Sequence, residues 1–267
     1  MNRFLLVFLL TTITRSSFAQ EEQINWINKN AIQLKTETSA KDYSFLATEL
    51  KGNLVLGLGE ASHGTHEFYQ HKRHLIEYLV TQLNYKLIGF EFDHLMIEAV
   101  NQHLLDGKGD LKALMAEFRL YNTTEIYELF NWLRSYNETQ IAANKITLFG
   151  FDSKEYHPDP YTRDEYMARD AAAIQKAAQK KAIIWAHNMH IAKDTTMAQF
   201  PAMGYHLRAK YADQFYVLGF DTYQGSFNVI NDRTFEQHSF QALPTSFSGL
   251  FAQSKYPTFF IPFNKSP

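Results

Sequence analysis

Leu54–Gln70 reads LVLGLGEASHGTHEFYQ, and its two halves belong to different kinds of secondary structure. Leu54–Leu58 is a short apolar run, which is how a strand buried on both faces reads. Gly57 and Gly59 turn the chain, and Glu60 and His63 follow three residues apart. From Phe68 to Leu83 apolar residues recur at the three- and four-residue steps of a helix. A strand that empties into a carboxylate and an imidazole at the mouth of a helix is a common way to build a site in an α/β protein.

Outward from this stretch the same unit repeats. Lys86–Phe92 (KLIGFEF) ends at Glu91 and Asp93, and Lys145–Phe151 (KITLFGF) ends at Asp152. Lys181–Ala186 (KAIIWA) ends at His187 with His190 just beyond, and Phe215–Phe220 (FYVLGF) ends at Asp221. Thr258–Ile261 (TFFI) reads as a last strand. Helical patterns lie between them over Leu95–Leu105, Ile126–Tyr136, the alanine-rich Asp164–Lys180 and Met203–Tyr211. Ahead of all these, Glu21–Leu34 and Tyr43–Leu50 carry apolar residues at helical spacing, among them Ile24, Ile27, Ile32 and Leu34, then Phe45, Leu46 and Leu50. Strands alternating with helices imply parallel pairing, so the expected fold is α/β, three layers with a mainly parallel central sheet. No Pro-, Gly- or Ser-rich linker interrupts it, and residues 20–267 are expected to form one catalytic domain.

A formal charge of −2 with no basic run excludes a nucleic-acid binder, because neutralising phosphates needs a basic surplus. The abundance of Phe and Tyr suits both a deep core and a pocket for an apolar ligand. At the N-terminus, Arg3, the apolar Phe4–Leu10 (FLLVFLL) and the small-x-small Ser17-Phe18-Ala19 before Gln20 have the three parts of a secretory signal peptide over residues 1–19. That segment is too short, and too polar after Leu10, to anchor the chain in a membrane. With no cysteine, the chain has no lipid-attachment site, no disulfide and no thiol chemistry. The expectation is an exported protein, periplasmic or secreted, with no membrane association after signal cleavage.

Five of the apolar runs deliver ionisable groups to their carboxyl ends, the edge where open parallel sheets bind ligands. No G-x-S-x-G elbow is present; Ser62 lies in Gly59-Glu60-Ala61-Ser62-His63-Gly64. No Walker or dinucleotide loop is present either, since Glu60 would face the phosphate. Water activation remains. His63 beside Glu60 or Glu91 suits a general base, and His187 and His190 suit polarising a carbonyl or protonating a leaving group. A second reading is a metal-dependent hydrolase with Glu60, His63, His187 and His190 as ligands, joined by Glu91. Asp93 is expected to cap the helix that follows it. Asp152 and Asp221 either cap turns or, for Asp152, contact substrate. His71, His74, His94, His103 and His206 close no apolar run and read as structural.

Three motifs together resemble the erythromycin esterase family: Gly59-Glu60-Ala61-Ser62-His63-Gly64-Thr65-His66-Glu67-Phe68, Ile88-Gly89-Phe90-Glu91, and Trp185-Ala186-His187-Asn188-Met189-His190. Met167-Ala168 with Arg169, Met203-Gly204, Gly219-Phe220 and Pro257–Ile261 extend the likeness from about Asn53 to Ile261. The resemblance implies an α/β fold shared with ChaN-like haem-binding lipoproteins and Tiki-type proteins. It also implies hydrolysis of a small-molecule ester or lactone, macrolides among the candidates, by histidine-activated water without a covalent intermediate or cofactor. By position His63 is then the base, Glu60 and Glu91 its carboxylates, and His187 and His190 the further site histidines. A family arginine falls at Lys72, next to Arg73, so both are candidates for substrate contact. The long helical section that macrolide-hydrolysing members carry between the Glu91 and His187 segments is much reduced here. The fold relatives also suggest the third reading, a non-catalytic protein that binds haem or another small ligand.

Overall fold

Five of the apolar runs become the five strands of one parallel sheet. The computed structural model describes residues 20–35, 38–231 and 234–263, so the expected signal segment lies outside the described residues. In chain order the elements are a helix over residues 20–30 (α1), β1 (Ile32–Gln33), α2 (Leu46–Glu49), β2 (Val55–Leu58), α3 (His66–Gln82), β3 (Tyr85–Phe90), α4 (His94–Asp106), α5 (Leu111–Met115) and α6 (Thr124–Glu138). There follow β4 (Thr147–Gly150), α7 (Pro160–Ala178), β5 (Lys181–Trp185), α8 (Asn188–Ile191), α9 (Met203–Tyr211), β6 (Phe215–Leu218), β7 (Gln224–Asn231), β8 (Thr234–Gln241), α10 (Phe247–Phe251) and β9 (Phe259–Phe260). Among the described residues no helix is long and apolar enough to cross a membrane.

The described residues divide into two compact units. The larger comprises Ser39–Asp221 with Ser226–His238 and holds the central sheet, in the order β4-β3-β5-β2-β6. Every neighbouring pair is parallel, and Gly150, Phe90, Trp185, Leu58 and Leu218 fall level in one row across it. Alternate residues of each strand point to opposite faces. Val55, Leu87, Ala182 and Ile184 pack with Met167, Ala168, Ala171 and Ala172 of α7 and with Met203 and Leu207 of α9. The small alanines let α7 lie close against the strands. On the other face, Phe90 meets Trp185 and Phe130, and Tyr69 of α3 meets Trp185. α3, α4 and α6 cover this side and pack on one another. The α/β reading of the sequence therefore holds, as a parallel sheet between two helical layers.

Local chemistry sets the element ends. Asp93 caps α4 as expected, its carboxylate accepting from Leu95 N at 3.0 Å, and Gly107 ends that helix with φ +78°. Asp159 caps α7 through Tyr161 N.

The smaller unit corrects one expectation. Helical spacing over Glu21–Leu34 predicts a single helix, but the helix ends at residue 30 and Ile32–Gln33 is a strand. It pairs antiparallel with Phe259–Phe260, and Leu34 N donates to Thr258 O at 2.9 Å. Satisfying those backbone groups in a ladder outweighs the side-chain period. The last apolar run accordingly joins this two-stranded sheet and not the central one.

Candidate active site

Glu60, two residues beyond the row of strand ends, is fully buried, and its carboxylate is surrounded by donors. Oε1 lies 2.6 Å from His63 Nδ1, with Tyr69 OH at 3.4 Å and Tyr121 OH at 3.5 Å. Oε2 accepts from Lys72 Nζ at 2.6 Å and from Trp185 Nε1 at 2.9 Å. Burial alone would raise the Glu60 carboxyl, but the Lys72 charge and then His63 hold it below its ordinary value. Lys72 is buried to the same degree; burial lowers its ammonium to about 8 while Glu60 opposes that shift. Its Nζ also donates to Leu58 O at 3.2 Å and lies 4.3 Å above the Trp185 ring. A buried pair of this kind is tolerable because every polar atom has a partner.

With Nδ1–H given to Glu60, the lone pair of His63 lies on Nε2, which has no hydrogen-bond partner among the described residues. Burial lowers the imidazole, and the bond and charge of Glu60, then the charge of Glu91, raise it by more.

Glu91, one residue beyond the row, belongs to a second network on the α7 side of the sheet. Oε1 faces His190 Nε2 at 3.2 Å and Arg163 Nη2 at 3.4 Å, and Oε2 accepts from His187 N at 2.9 Å. Burial would raise this carboxyl too, but the His190 charge and bond bring it down to about 2. His190 is sandwiched, its Nδ1 meeting Asp164 Oδ1 at 2.7 Å. Burial disfavours its imidazolium, yet Glu91 and Asp164 raise it to about 10. Asp164 also accepts from Met203 N at 2.8 Å, which ties the cluster to α9.

His187 stands between the networks, its ring 5.5 Å from that of His63. Both its nitrogens are engaged: Nε2 bonds Ala61 O at 2.9 Å, and Nδ1 accepts from Met189 N at the start of α8. Burial lowers its pKa, and the ring serves as a neutral clamp between two strand exits.

The structure thus brings Glu60, His63, Lys72, Glu91, His187 and His190 to one edge. Arg73 points elsewhere, to Glu77 at 3.2 Å and to Glu128. Asp152 is held by Arg163 through both oxygens, at 2.9 and 2.6 Å, with His157 Nε2 at 3.2 Å. Arg169 pairs with Asp170 on the surface. Of the four residues of the metal reading, Glu60 is bonded to His63, Lys72 and Trp185, His187 to backbone, and His190 to Glu91 and Asp164. Among the described residues no group of three or more His, Cys, Asp or Glu side chains is arranged to hold a metal ion. Tyr69, Tyr121, Arg163 and Asp164 escaped the sequence reading. Asp164 did leave a signal, since it shares a helical stripe with the buried Met167, Ala168 and Ala171.

Comparison with known proteins sets this geometry in a lineage. The family model for erythromycin esterase matches residues 80–162 and 154–267. The chain belongs to the erythromycin esterase family. YbfO of Bacillus subtilis (strain 168), provisionally named a hydrolase, is 30% identical over 161 residues, which cover 56% of this chain and 35% of that protein. Erythromycin esterase type II of Escherichia coli is 27% identical over 133 residues, 48% of this chain and 30% of its own. The matched region thus spans about a third of these relatives. Among solved structures, a succinoglycan biosynthesis protein superposes with a TM-score of 0.82 at 20% identity, covering 92% of this chain and 86% of that one. A mutant of the erythromycin esterase EreC in its open conformation gives 0.68 at 13% identity, covering 86% and 88%. At these identities the likeness concerns the fold.

Proposed function

We propose that this member of the family hydrolyses a carboxylic ester or lactone with water activated by His63. The observation that carries the reading is the 2.6 Å contact between His63 Nδ1 and the buried Glu60, which leaves Nε2 as the basic atom. Of the three histidines at the edge, His190 is held as an imidazolium and His187 has both nitrogens engaged, so His63 is the one suited to take a proton. In the proposed reaction Nε2 accepts a proton from water, the hydroxyl oxygen bonds to the acyl carbon, and the imidazolium is stabilised by Glu60. His63 then returns that proton to the departing alkoxide as the ester C–O bond breaks. No residue forms a covalent bond to the substrate. The names of the hydrolase relatives support the same class, and that of erythromycin esterase type II makes a macrolide one candidate substrate.

The test is turnover of a panel of esters and lactones, macrolides included, by the purified protein and its His63→Ala variant. General-base catalysis contributes about 10²- to 10⁴-fold, and a loss of that order is expected in the variant. Undiminished turnover in His63→Ala would falsify the assignment, and a haem-induced Soret band with no hydrolysis of any ester would favour the ligand-binding reading instead.

A further inference from the structure

We infer that Arg163 is a substrate-binding residue, and that its Nη1 holds an oxygen of the acyl group undergoing hydrolysis. A guanidinium carries five N–H donors in a rigid plane. In Arg163 three have partners: Nε bonds Asp152 Oδ1 at 2.9 Å, and Nη2 bonds Asp152 Oδ2 at 2.6 Å and Glu91 Oε1 at 3.4 Å. Both hydrogens of Nη1 are without a partner among the described residues. The side chain is only 24% exposed, and the bidentate bond to Asp152 fixes the plane, so Nη1 is aimed and does not wander.

Its neighbours make this nitrogen a donor for an oxygen and not a further structural tie. Glu91 touches Arg163, receives His187 N, and acts on the charge of His63, so the guanidinium and the proposed base flank one carboxylate. Asp152, Glu91 and Asp164 together offset its charge and that of His190, so an uncharged carbonyl can approach without a net cation being buried. As water adds, the oxygen gains negative charge and its bond to Nη1 strengthens, which is the requirement for transition-state stabilisation. The product carboxylate presents the same oxygen. Lys72 cannot serve, because it is fully buried against Glu60 and Leu58 O.

The identity of this ligand as an acyl oxygen rests on the hydrolase reading, but the test need not. Benzoate, a simple carboxylate standing for the product, is titrated calorimetrically into the wild-type protein, Arg163→Gln and Arg163→Lys, with thermal unfolding checked for each. The expected result is saturable binding to wild type, weakened about tenfold or more in Arg163→Gln, as for loss of a charge-assisted hydrogen bond. Arg163→Lys keeps a cation opposite Asp152 and Glu91, and it is expected to weaken binding as well because no fixed donor is left over. It also carries the test if the Gln variant does not fold. Arginine-dependent benzoate binding supports the inference even if no ester is turned over. Absence of benzoate binding to wild type, or equal affinity in the folded variants, overturns it even where esters are hydrolysed.

Discussion

His63 differs from the other two histidines at the edge in one atom: its Nε2 is free of protein partners among the described residues. The pH dependence follows from what surrounds that ring. His63 acts as a base only when neutral, and Glu60 and Glu91 raise its pKa above the ordinary 6.5 against the opposing effect of burial. kcat/KM is therefore expected to rise with pH through a midpoint above 6.5. In Glu60→Gln the strongest support for the imidazolium is gone, and the midpoint is expected to move down. A pH–rate profile of both proteins on one ester checks this, and an unmoved midpoint would count against the Glu60–His63 coupling. At this scale the sequence was partly legible. Glu60, His63, Glu91, His187 and His190 stand at the ends of apolar runs, where an ionisable group is conspicuous. Lys72 was reached only through the family resemblance, at the place of a family arginine, and it lies on a buried helical stripe three and four residues before Leu75 and Ile76. Tyr121 comes from a non-periodic turn after α5, where Arg119 adopts φ +52°, and such a turn leaves no pattern to read.

Elements were easier to read than residues, for a physical reason. A strand buried on both faces must be apolar throughout, so β2 to β6 announced themselves, and so did the amphipathic α3, α4, α6 and α9. β7 and β8 did not, because they pair with each other with mostly exposed residues and their composition resembles loop. The exits of β3 and β4 are closely packed. A methyl group on Gly150 would sit 2.5 Å from Phe92 O and 2.8 Å from Asp93 O, both of them backbone atoms that cannot rotate away. Gly150→Ala is therefore expected to push the β3 and β4 exits apart, costing about 1–3 kcal/mol of stability. Because Glu91 and Asp152 leave those exits, ester turnover should fall with it. Urea unfolding and kinetics on the same preparation test the link; wild-type stability in the alanine variant would show that the exits have slack.

For the molecule as a whole, the second network predicts a pH window. Glu91 is lowered from 4.5 to about 2, so it contributes stability above 4.5 that is lost as pH falls toward 2. His190 is raised from 6.5 to about 10, so it contributes fully below 6.5 and loses its contribution as pH rises through about 10. The two describe largely one ion pair, and both are fully effective only between about 4.5 and 6.5. Melting temperatures across pH 3 to 10 are expected to peak there. In Glu91→Gln both flanks should flatten; an unchanged profile would remove the pair as their cause. The level row of strand ends carries one more consequence. Phe90 and Leu58 both face the α3 layer, yet Glu60 comes two residues after its strand and Glu91 only one. Since successive side chains alternate sides, that single-residue difference in spacing works as a sorting rule, sending one carboxylate to each helical layer. The two halves of the site are thus addressed by parity, and the smallest edit able to misdeliver a carboxylate is the insertion or deletion of one residue.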